Sequence, residues 1–282
     1  SLAKAALPDN NNDLMAVPRL ELQQLPENRI NVLAPHAVSP AEKPSRNSEL
    51  AYRIFTRTAE PADDKQTPPQ TGINAVAAIC LVNTTADSGT GSLRDCLTNA
   101  NSGDVINFDT AVFPPGSPAT ISLTTPLPTI TTDSLTIDGS EAGVILDGSQ
   151  LSFGSGFTLI GVDSVTIQGL QILNFPWTGI DVFDDTTNAV IGGDRNVGAG
   201  PLGQGNLISG NAWAGVWILG EQTNGNIVQG NYIGTDLAGS SAFGGQELGV
   251  IITGGAHDNV IGGSTTGARN VISGHFDLVS GI

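Results

Sequence analysis

The chain has 282 residues and a formal net charge of −16 at pH 7. Residues 72–282 carry 18 acidic and 3 basic side chains, whereas residues 1–71 carry 9 acidic and 8 basic ones. Because residues 72–282 are so acidic, they repel nucleic acids and anionic lipid surfaces, which excludes nucleic-acid binding. No apolar run reaches the roughly 18 residues of a transmembrane helix, so we predict no membrane span.

Residues 1–71 are predicted to form an extended arm rather than a domain. They contain 9 of the 16 prolines and none of the 36 glycines. Short stretches of the arm alternate in the manner of strands, and such strands can lie along their own solenoid or pair with an edge of another molecule. A disordered linker is the alternative, mainly for residues 60–70. The candidate assembly residues are Leu50, Tyr52, Ile54 and Phe55, within the segment Leu50–Arg57.

Residues 72–112 are predicted to be the N-terminal cap of a folded body that spans residues 72–282. The segment 77–82 is expected to be a buried strand, and a short helix is expected to start after Ser92, with Asp95 completing a variant of the capping box. Because the first coil of a solenoid has an open apolar end, a helix placed there serves as a cap. Its predicted apolar face consists of Leu93, Cys96, Leu97 and Ala100.

The two cysteines, Cys80 and Cys96, are separated by 16 residues. An even cysteine count in a chain rich in Gly, Asn and Thr favours an exported protein with one disulfide. Two buried free thiols are the alternative. No further Cys or paired His completes a metal-ligand set, so no metal site is predicted.

One short phrase returns from residue 179 onward: a Gly, alternating apolar residues, a polar turn with Asn, and then Ile-Gly. Its copies start at Gly179, Gly215, Gly249 and Gly281, which are 36, 34 and 32 residues apart. Repetition on this scale predicts a stacked solenoid. The units are β-branched and alternate with a period of two, so the coils are predicted to be all-β.

The segment from Asn83 to Asp95 reads Asn-Thr-Thr-Ala-Asp-Ser-Gly-Thr-Gly-Ser-Leu-Arg-Asp. It resembles the opening of bacterial exported right-handed parallel β-helix proteins of the pectin-lyase-like superfamily. Later phrases, such as Leu-Thr-Ile-Asp-Gly from Leu135, are similar to the coils of those proteins. The resemblance covers about residues 77–282. It implies a right-handed three-sheet parallel β-helix with roughly 20–25 residues per coil and about eight or nine coils. It implies little about chemistry, since the family includes enzymes, adhesins and structural proteins.

Several asparagines stand directly before apolar strands and are interpreted as structural turn residues. Asparagine tolerates the left-handed turn conformation, and stacked amides can form hydrogen bonds from coil to coil. A direct role in ligand binding is the alternative. These residues are Asn188, Asn206, Asn226, Asn231, Asn259 and Asn270.

No catalytic residue is predicted. The one adjacent pair of acids after the cap, Asp184 and Asp185, lacks the neighbouring Gly-His-Gly and Arg-x-Lys that accompany such a pair in the pectin-degrading hydrolases of this superfamily. His275 follows Gly274 but lies about 90 residues from the pair, and in the repeat it replaces Asn211. The lyase pattern needs a basic residue beside a calcium cluster. Beyond the cap only two arginines remain, Arg195 and Arg269, and both are expected in turns.

Three tryptophans, Trp177, Trp213 and Trp217, fall within about 40 residues of one another. The first two each stand two residues before a repeat Gly and should occupy the same turn on different coils. Trp217 should point outward, between inward Val216 and Ile218. Outward tryptophans could stack on sugars or pack on a neighbouring subunit. Burial beneath a loop or under the arm is the alternative.

These features together favour a non-enzymatic structural protein of the cell surface or extracellular space. Its partner would be a second copy or another surface protein, and it could form filaments through its arm and open solenoid end. Residues 276–282 stop two residues into a repeat phrase, so either the natural chain continues beyond Ile282 or another subunit covers that edge. A glycan-binding surface adhesin is the first alternative and a polysaccharide lyase or hydrolase the second. No cofactor is predicted, and calcium is the one ion left open.

Overall fold

A computed structural model describes residues 77–275, which are almost entirely β-structure. Within that range three parallel sheets stack around one apolar core, and the single helix is α1 (Leu93–Asn99). The predicted fold class, an all-β, three-sheet parallel β-helix with an N-terminal helix cap, is confirmed. Residues 1–76 and 276–282 lie outside the described residues, and with them lie the candidate assembly residues Leu50, Tyr52, Ile54 and Phe55. The predicted boundaries of the arm and the cap stay predictions.

Each coil contributes strands to these sheets in turn, and the strands are numbered here in chain order. Sheet A contains β1 (Ile79–Val82), β2 (Val105–Phe108), β4 (Thr136–Asp138), β7 (Thr166–Gln168), β10 (Val190–Gly192), β13 (Ile227–Gln229) and β16 (Val260–Ile261). Sheet B contains β3 (Ala119–Ser122), β5 (Val144–Asp147), β8 (Leu170–Leu173), β11 (Leu207–Ser209), β14 (Tyr232–Ile233) and β17 (Val271–Ile272). Sheet C contains β6 (Phe157–Ile160), β9 (Thr178–Phe183), β12 (Ala214–Leu219) and β15 (Leu248–Thr253).

The core forms because alternate residues of every strand point inward and stack on their counterparts in neighbouring coils. In sheet C, Val216 and Ile218 of β12 pair in register with Ile180 and Val182 of β9, and all four side chains are buried. Each such aliphatic side chain contributes about 1.5–3 kcal/mol relative to exposure to water. The β-branched residues that gave the repeat its strand character are therefore also the residues that hold the coils together.

Within residues 77–275 the coils are longer and fewer than the sequence resemblance implied. Successive strands of sheet A start 24 to 37 residues apart, and the described part of the sheet has seven strands. Two long connections account for the longest coils: residues 193–206 between β10 and β11, and residues 234–247 between β14 and β15. The prediction of roughly 20–25 residues per coil was wrong because a strand repeat does not limit the length of the loops between strands.

The helix α1 closes the N-terminal end of the solenoid. Its N-cap Ser92 accepts a hydrogen bond from the backbone N–H of Asp95 at 3.1 Å, and the Asp95 carboxylate accepts one from the backbone N–H of Gly91 at 3.0 Å. The helix buries Leu93, Cys96 and Leu97 against the core. The predicted cap therefore forms, with the return bond of the capping box made one residue before the N-cap.

Cys80 of β1 and Cys96 of α1 are joined by a disulfide, with their Cα atoms 5.7 Å apart. The disulfide ties the cap helix to the first strand of sheet A. The prediction that residues 77–82 form a buried strand was only partly right. Val82 faces the core, whereas Ile79 and Leu81 are exposed, because alternate residues of this strand point away from the solenoid.

Candidate functional site

The outward side of sheet C carries an apolar cluster that is separate from the core. Phe183 and Leu219 come from the ends of β9 and β12, and Trp217 lies between the inward Val216 and Ile218. Strand alternation places these side chains on the face opposite to the core. This surface is termed the aromatic face, and it consists of Ile160, Trp177, Asp181, Phe183, Trp213, Trp217, Leu219 and Ile251.

The aromatic rings form a continuous series of contacts that spans two neighbouring coils. Trp177 and Trp213 occupy the same turn on successive coils, with ring centroids 4.9 Å apart and a backbone hydrogen bond from Trp213 N–H to the Trp177 carbonyl at 2.9 Å. Trp217 packs edge-to-face on Trp213 at 4.4 Å and on Phe183 at 4.8 Å. Its indole N–H donates to the Thr253 hydroxyl at 2.9 Å. Such ring pairs contribute about 0.5–1.5 kcal/mol each beyond the area they bury.

Asp181 is a buried carboxylate within this face, in register with Trp217 of the next coil. It accepts hydrogen bonds from the hydroxyls of Thr178 at 2.5 Å and Thr158 at 3.3 Å. Burial raises the pKa of Asp181 to about 6, against the hydrogen bonds from Ser155, Thr178 and Thr158 that lower it. Sequence reasoning missed this residue. The repeat did contain a signal: Asp181 is an acid at an outward position, and the later copies of the repeat have the apolar residues Trp217 and Ile251 at that position.

The adjacent acids Asp184 and Asp185 lie in the turn directly after β9. Both have left-handed backbone conformations, with φ of 43° and 68°. The Asp184 backbone N–H donates to the Leu219 carbonyl in the next coil at 3.2 Å. Aspartate is among the few residues that enter this region at small cost. The pair therefore has a structural explanation in the shape of the turn.

Arg94, in the cap, holds a loop against the start of the solenoid. Its guanidinium donates to the Asp87 carboxylate at 2.5 Å and to the carbonyls of Thr125 at 2.7 Å and Pro126 at 2.6 Å. Its Nε also donates to the Asp87 carbonyl at 3.1 Å, so the guanidinium, which is directed at one carboxylate and three carbonyls, fixes the loop geometry.

Arg195 lies in the long connection between β10 and β11 and performs a similar task. Its guanidinium donates to the backbone carbonyls of Arg269 and Thr266 and lies 4.8 Å from the centre of the Tyr232 ring. It thereby ties the loops of two coils together, as expected for an arginine placed in a turn. Arg269 itself is exposed.

The predicted asparagines divide into two groups. Asn226 and Asn259 pair side chain to side chain at 2.9 Å, and a second stack runs from Asn206 through Asn231 to Asn270 at 3.1 and 3.3 Å. Each stack lies at a corner where the chain enters a strand, so the amides satisfy backbone groups that the bend leaves unpaired. These corner stacks are termed asparagine ladders.

Asn188 is placed differently from the other predicted asparagines. Strand register aligns Ala189, not Asn188, with Asn226, and the Ala189 backbone N–H donates to the Asn226 side chain at 2.9 Å. Asn188 takes a left-handed conformation with φ of 54° and donates to Asp163 at 2.8 Å. Its structural role is therefore that of an exposed turn residue.

A third ladder at the corner before sheet C explains His275. Asn211 Nδ2 donates to the Gln246 side-chain oxygen at 3.3 Å, and Gln246 Nε2 lies 3.2 Å from His275 Nε2. His275 thus stands in the ladder position that Asn211 and Gln246 occupy in the preceding coils, as the repeat indicated. Burial lowers the pKa of His275.

Within residues 77–275, no three His, Cys, Asp or Glu side chains are grouped so that they could hold a metal ion. The one described helix is too short to cross a membrane.

Comparison with known proteins found a likeness among solved structures. No protein-family model and no curated protein sequence matches the chain. Among solved structures, the crystal structure of an alginate lyase from Paenibacillus sp. str. FPU-7 is similar, with 15% sequence identity and a TM-score of 0.39. The match covers 64% of this chain and 64% of the lyase chain. Likeness at this level carries no information on activity, because one scaffold supports many functions.

Proposed function

We propose that this chain is a non-enzymatic structural protein of the cell surface or extracellular space, with the β-helix as its rigid rod. The proposal rests on one observation: the side chains that could have been catalytic hold the fold together instead. Arg94 and Arg195 hold loops through backbone carbonyls, Asp184 and Asp185 shape a turn, and His275 continues a ladder. Each of these five side chains has a position that the fold explains.

The disulfide supports the proposed location outside the cytoplasm. Such bonds persist in oxidising compartments and are rare in the cytosol of most organisms. Cys80–Cys96 joins the cap to the first strand. A rod that works outside the cell gains from a cross-linked cap, because the cap is where a solenoid would otherwise begin to open.

The finer form of the proposal is a filament subunit. In the last described coil Ile252, Ile261 and Ile272 are exposed, whereas their register partners one coil earlier are buried. Strand edges with apolar inward residues associate readily with further β-structure. The proposed partner at this surface is a second copy, and a contact between two different surfaces propagates into a filament.

The proposal is tested by activity and assembly measurements on the full chain. We expect no unsaturated or reducing ends from pectate or alginate, with or without calcium, and concentration-dependent rods in light scattering and negative-stain electron microscopy. Depolymerisation that disappears in an Asp184→Ala/Asp185→Ala variant would overturn the structural function. A chain that stays monomeric at high concentration would remove the filament form alone.

Glycan binding is the second candidate, and the tryptophan stack favours it. Trp177 and Trp213 are only partly buried, and their rings lie on one side of the rod. Aromatic faces of this kind stack on sugar rings. Titration of neutral and acidic oligosaccharides, followed by tryptophan fluorescence, should show saturable quenching that a Trp177→Ala variant loses. No saturable response with any sugar would eliminate this candidate.

A further inference from the structure

The chain contains one Asn-Gly pair, Asn224-Gly225, at the corner that precedes β13. In such a pair the asparagine side chain can cyclise onto the next backbone nitrogen, because glycine has no Cβ to restrict the approach of the two groups. In a folded chain the reaction also needs a glycine nitrogen that is not already held by a hydrogen bond. The hydrogen bonds of this corner therefore decide whether Asn224 can react.

The asparagine ladders are protected against this reaction. In Asn226, Asn231, Asn259 and Asn270 the attacking group would be the N–H of the following residue, and that N–H already donates to a carbonyl of the preceding coil. The donors are Ile227, Tyr232, Val260 and Val271, and the acceptors are the carbonyls of Ala189, Asn206, Asn226 and Asn231, each at 2.8 Å. Attack at these positions would first break a hydrogen bond between coils.

Gly225 belongs to a row of left-handed corner residues on successive coils. Ser134, Ser164 and Asn188 precede it in this row with φ of 58°, 60° and 54°, and Gly225 has φ of 69°. The N–H groups of the first three donate to carbonyls of the next coil at 2.8, 2.9 and 3.2 Å. Among the described residues Gly225 N–H makes no hydrogen bond of normal geometry, although Asn224 is aligned with His257 of the next coil. Its nitrogen is therefore available for attack.

The Asn224 side chain is not part of a ladder. Its Nδ2 donates to the Gln222 carbonyl at 2.8 Å, within the same turn. By contrast, Asn226 Nδ2 donates to the Thr186 carbonyl at 3.0 Å and to Asn259 at 2.9 Å, on the coils before and after its own. Asn226 is 1% exposed, whereas Asn224 is only half-buried. The Asn224 amide can therefore turn towards the Gly225 nitrogen without breaking a contact between coils, and water can reach it.

We propose that Asn224 is a site of spontaneous, water-dependent conversion to isoaspartate. The Gly225 nitrogen attacks Cγ of Asn224 and gives up its proton, while the side-chain NH2 takes up a proton and leaves as ammonia. The product is a cyclic succinimide, which one water molecule opens. Cleavage of the bond to the former backbone carbonyl carbon gives isoaspartate, and cleavage of the bond to Cγ gives aspartate. The net change is the replacement of NH2 by OH, with no oxidation or reduction.

Conversion changes the corner that sets up the Asn226–Asn259 pair of the ladder. In isoaspartate the main chain runs through Cβ and Cγ, so the corner becomes one carbon atom longer two residues before Asn226. The Asn224 carbonyl, which accepts from the Asn188 N–H at 3.2 Å, becomes a charged carboxylate on a side branch. Because ladder positions depend on register between coils, the longer corner loosens the ladder at this point.

The test is incubation of the full chain at mildly alkaline pH in water enriched in heavy oxygen, followed by digestion in acid and peptide mass spectrometry. The peptide that contains Asn224 should exchange NH2 for a heavy-oxygen OH and separate into isoaspartyl and aspartyl forms. The ladder asparagines should stay unchanged over the same time, and the converted protein should melt at a lower temperature than fresh protein. An unchanged Asn224, aspartate as the only product, equal conversion of the ladder asparagines, or an unchanged melting temperature would each overturn the proposal.

Gly225→Ser is the matched control, since serine already holds the equivalent left-handed positions at Ser134 and Ser164. The nearest atom to the new Cβ would be Oδ1 of Asn188, at 2.7 Å, which is the end of an exposed side chain that can move aside. The variant should keep native circular dichroism and convert roughly ten-fold more slowly, because a Cβ restricts the approach of the nitrogen to Cγ. Conversion as fast as in the unchanged chain would overturn the role given to the Gly225 nitrogen.

Discussion

Asn206 Nδ2 donates a hydrogen bond to Oδ1 of Asn231 in the next coil, 3.1 Å away, with both side chains buried. Asn231 in turn donates to the Ile191 carbonyl at 2.8 Å and to Asn270 at 3.3 Å. The same oxygen of Asn231 also accepts from the Asn206 backbone N–H at 3.0 Å. One side chain thus links three coils, and its removal leaves several buried groups without partners.

We therefore predict that Asn231→Ala lowers the free energy of unfolding by roughly 2–4 kcal/mol, since each buried group left unsatisfied costs about 1–3 kcal/mol. The matched control is Asn188→Gly, at an exposed position whose φ of 54° glycine adopts without strain. Its effect should stay below about 1 kcal/mol. Urea unfolding followed by circular dichroism measures both. Equal losses in the two variants would contradict the ladder as a specific source of stability.

Asp181 should make the stability of the fold depend on pH. Its pKa of about 6 in the folded chain lies above the ordinary value of 3.8, because burial disfavours the charged form. The protonated carboxyl is favoured by folding, so its contribution is fully present below pH 4 and is lost as the pH rises to about 6. Asp181→Asn should therefore stabilise the chain at pH 8 by up to about 3 kcal/mol, and by little at pH 4.

Asp163 provides the opposite control for that prediction. Hydrogen bonds from Asn188, Thr187 and Ser164 lower its pKa. Its contribution to stability is present at neutral pH and is lost as the pH falls through the lowered pKa. Asp163→Asn should accordingly destabilise the chain at pH 7, and the difference should shrink in acid. Thermal unfolding of both variants between pH 3 and 8 measures the two trends, which should run in opposite directions; parallel trends would contradict the assignment.

Replacing Gly215 by a larger residue should destabilise the fold because there is no space for a side chain, although the backbone conformation would permit one. A Cβ atom there would lie 2.5 Å from Ile233 Cγ2 and 2.7 Å from the Gly249 carbonyl oxygen of the next coil. Overpacking of this kind costs about 1–3 kcal/mol, and we expect the upper end for Gly215→Ala because a backbone atom blocks the site. Gly245→Ala is the control, since nothing lies within 4 Å of its Cβ position. Similar melting temperatures for the two variants would contradict the view that Gly215 is needed for the close approach of neighbouring coils.

The disulfide should stabilise the cap. Non-reducing mass spectrometry should show the intact chain lighter than the reduced chain by two hydrogen atoms. Replacing both cysteines, Cys80→Ser/Cys96→Ser, should lower the free energy of unfolding by roughly 3 kcal/mol, as for a closed loop of this length. Amide hydrogen exchange should rise first in α1 and β1. Two free thiols in protein purified without reductant would contradict the prediction and weaken the proposed extracellular location.

Much of the architecture follows from local pattern. Glycine phrases repeating every 32 to 36 residues, with β-branched alternation and no helical period between them, leave a stacked all-β solenoid as the fold. The capping signal at Ser92 and the apolar spacing through Leu97 predict the cap helix, and they place Cys96 on the face that meets the first strand. The solenoid and the cap helix could be predicted because the interactions that determine them lie within a few residues in sequence or recur at equivalent positions in the repeat.

The tertiary structure alone decided which residues meet between coils. Coils of 24 to 37 residues with loops of unequal length do not fix register from sequence, and a shift of one residue moves a side chain to the opposite face or out of its ladder. For that reason Asn188 resembled Asn226 in the repeat phrase, yet Ala189 occupies the ladder position. For the same reason Asp181 looked like one acid among many. It became a buried, perturbed carboxylate only once packing had surrounded it, because desolvation depends on neighbours that are distant in sequence.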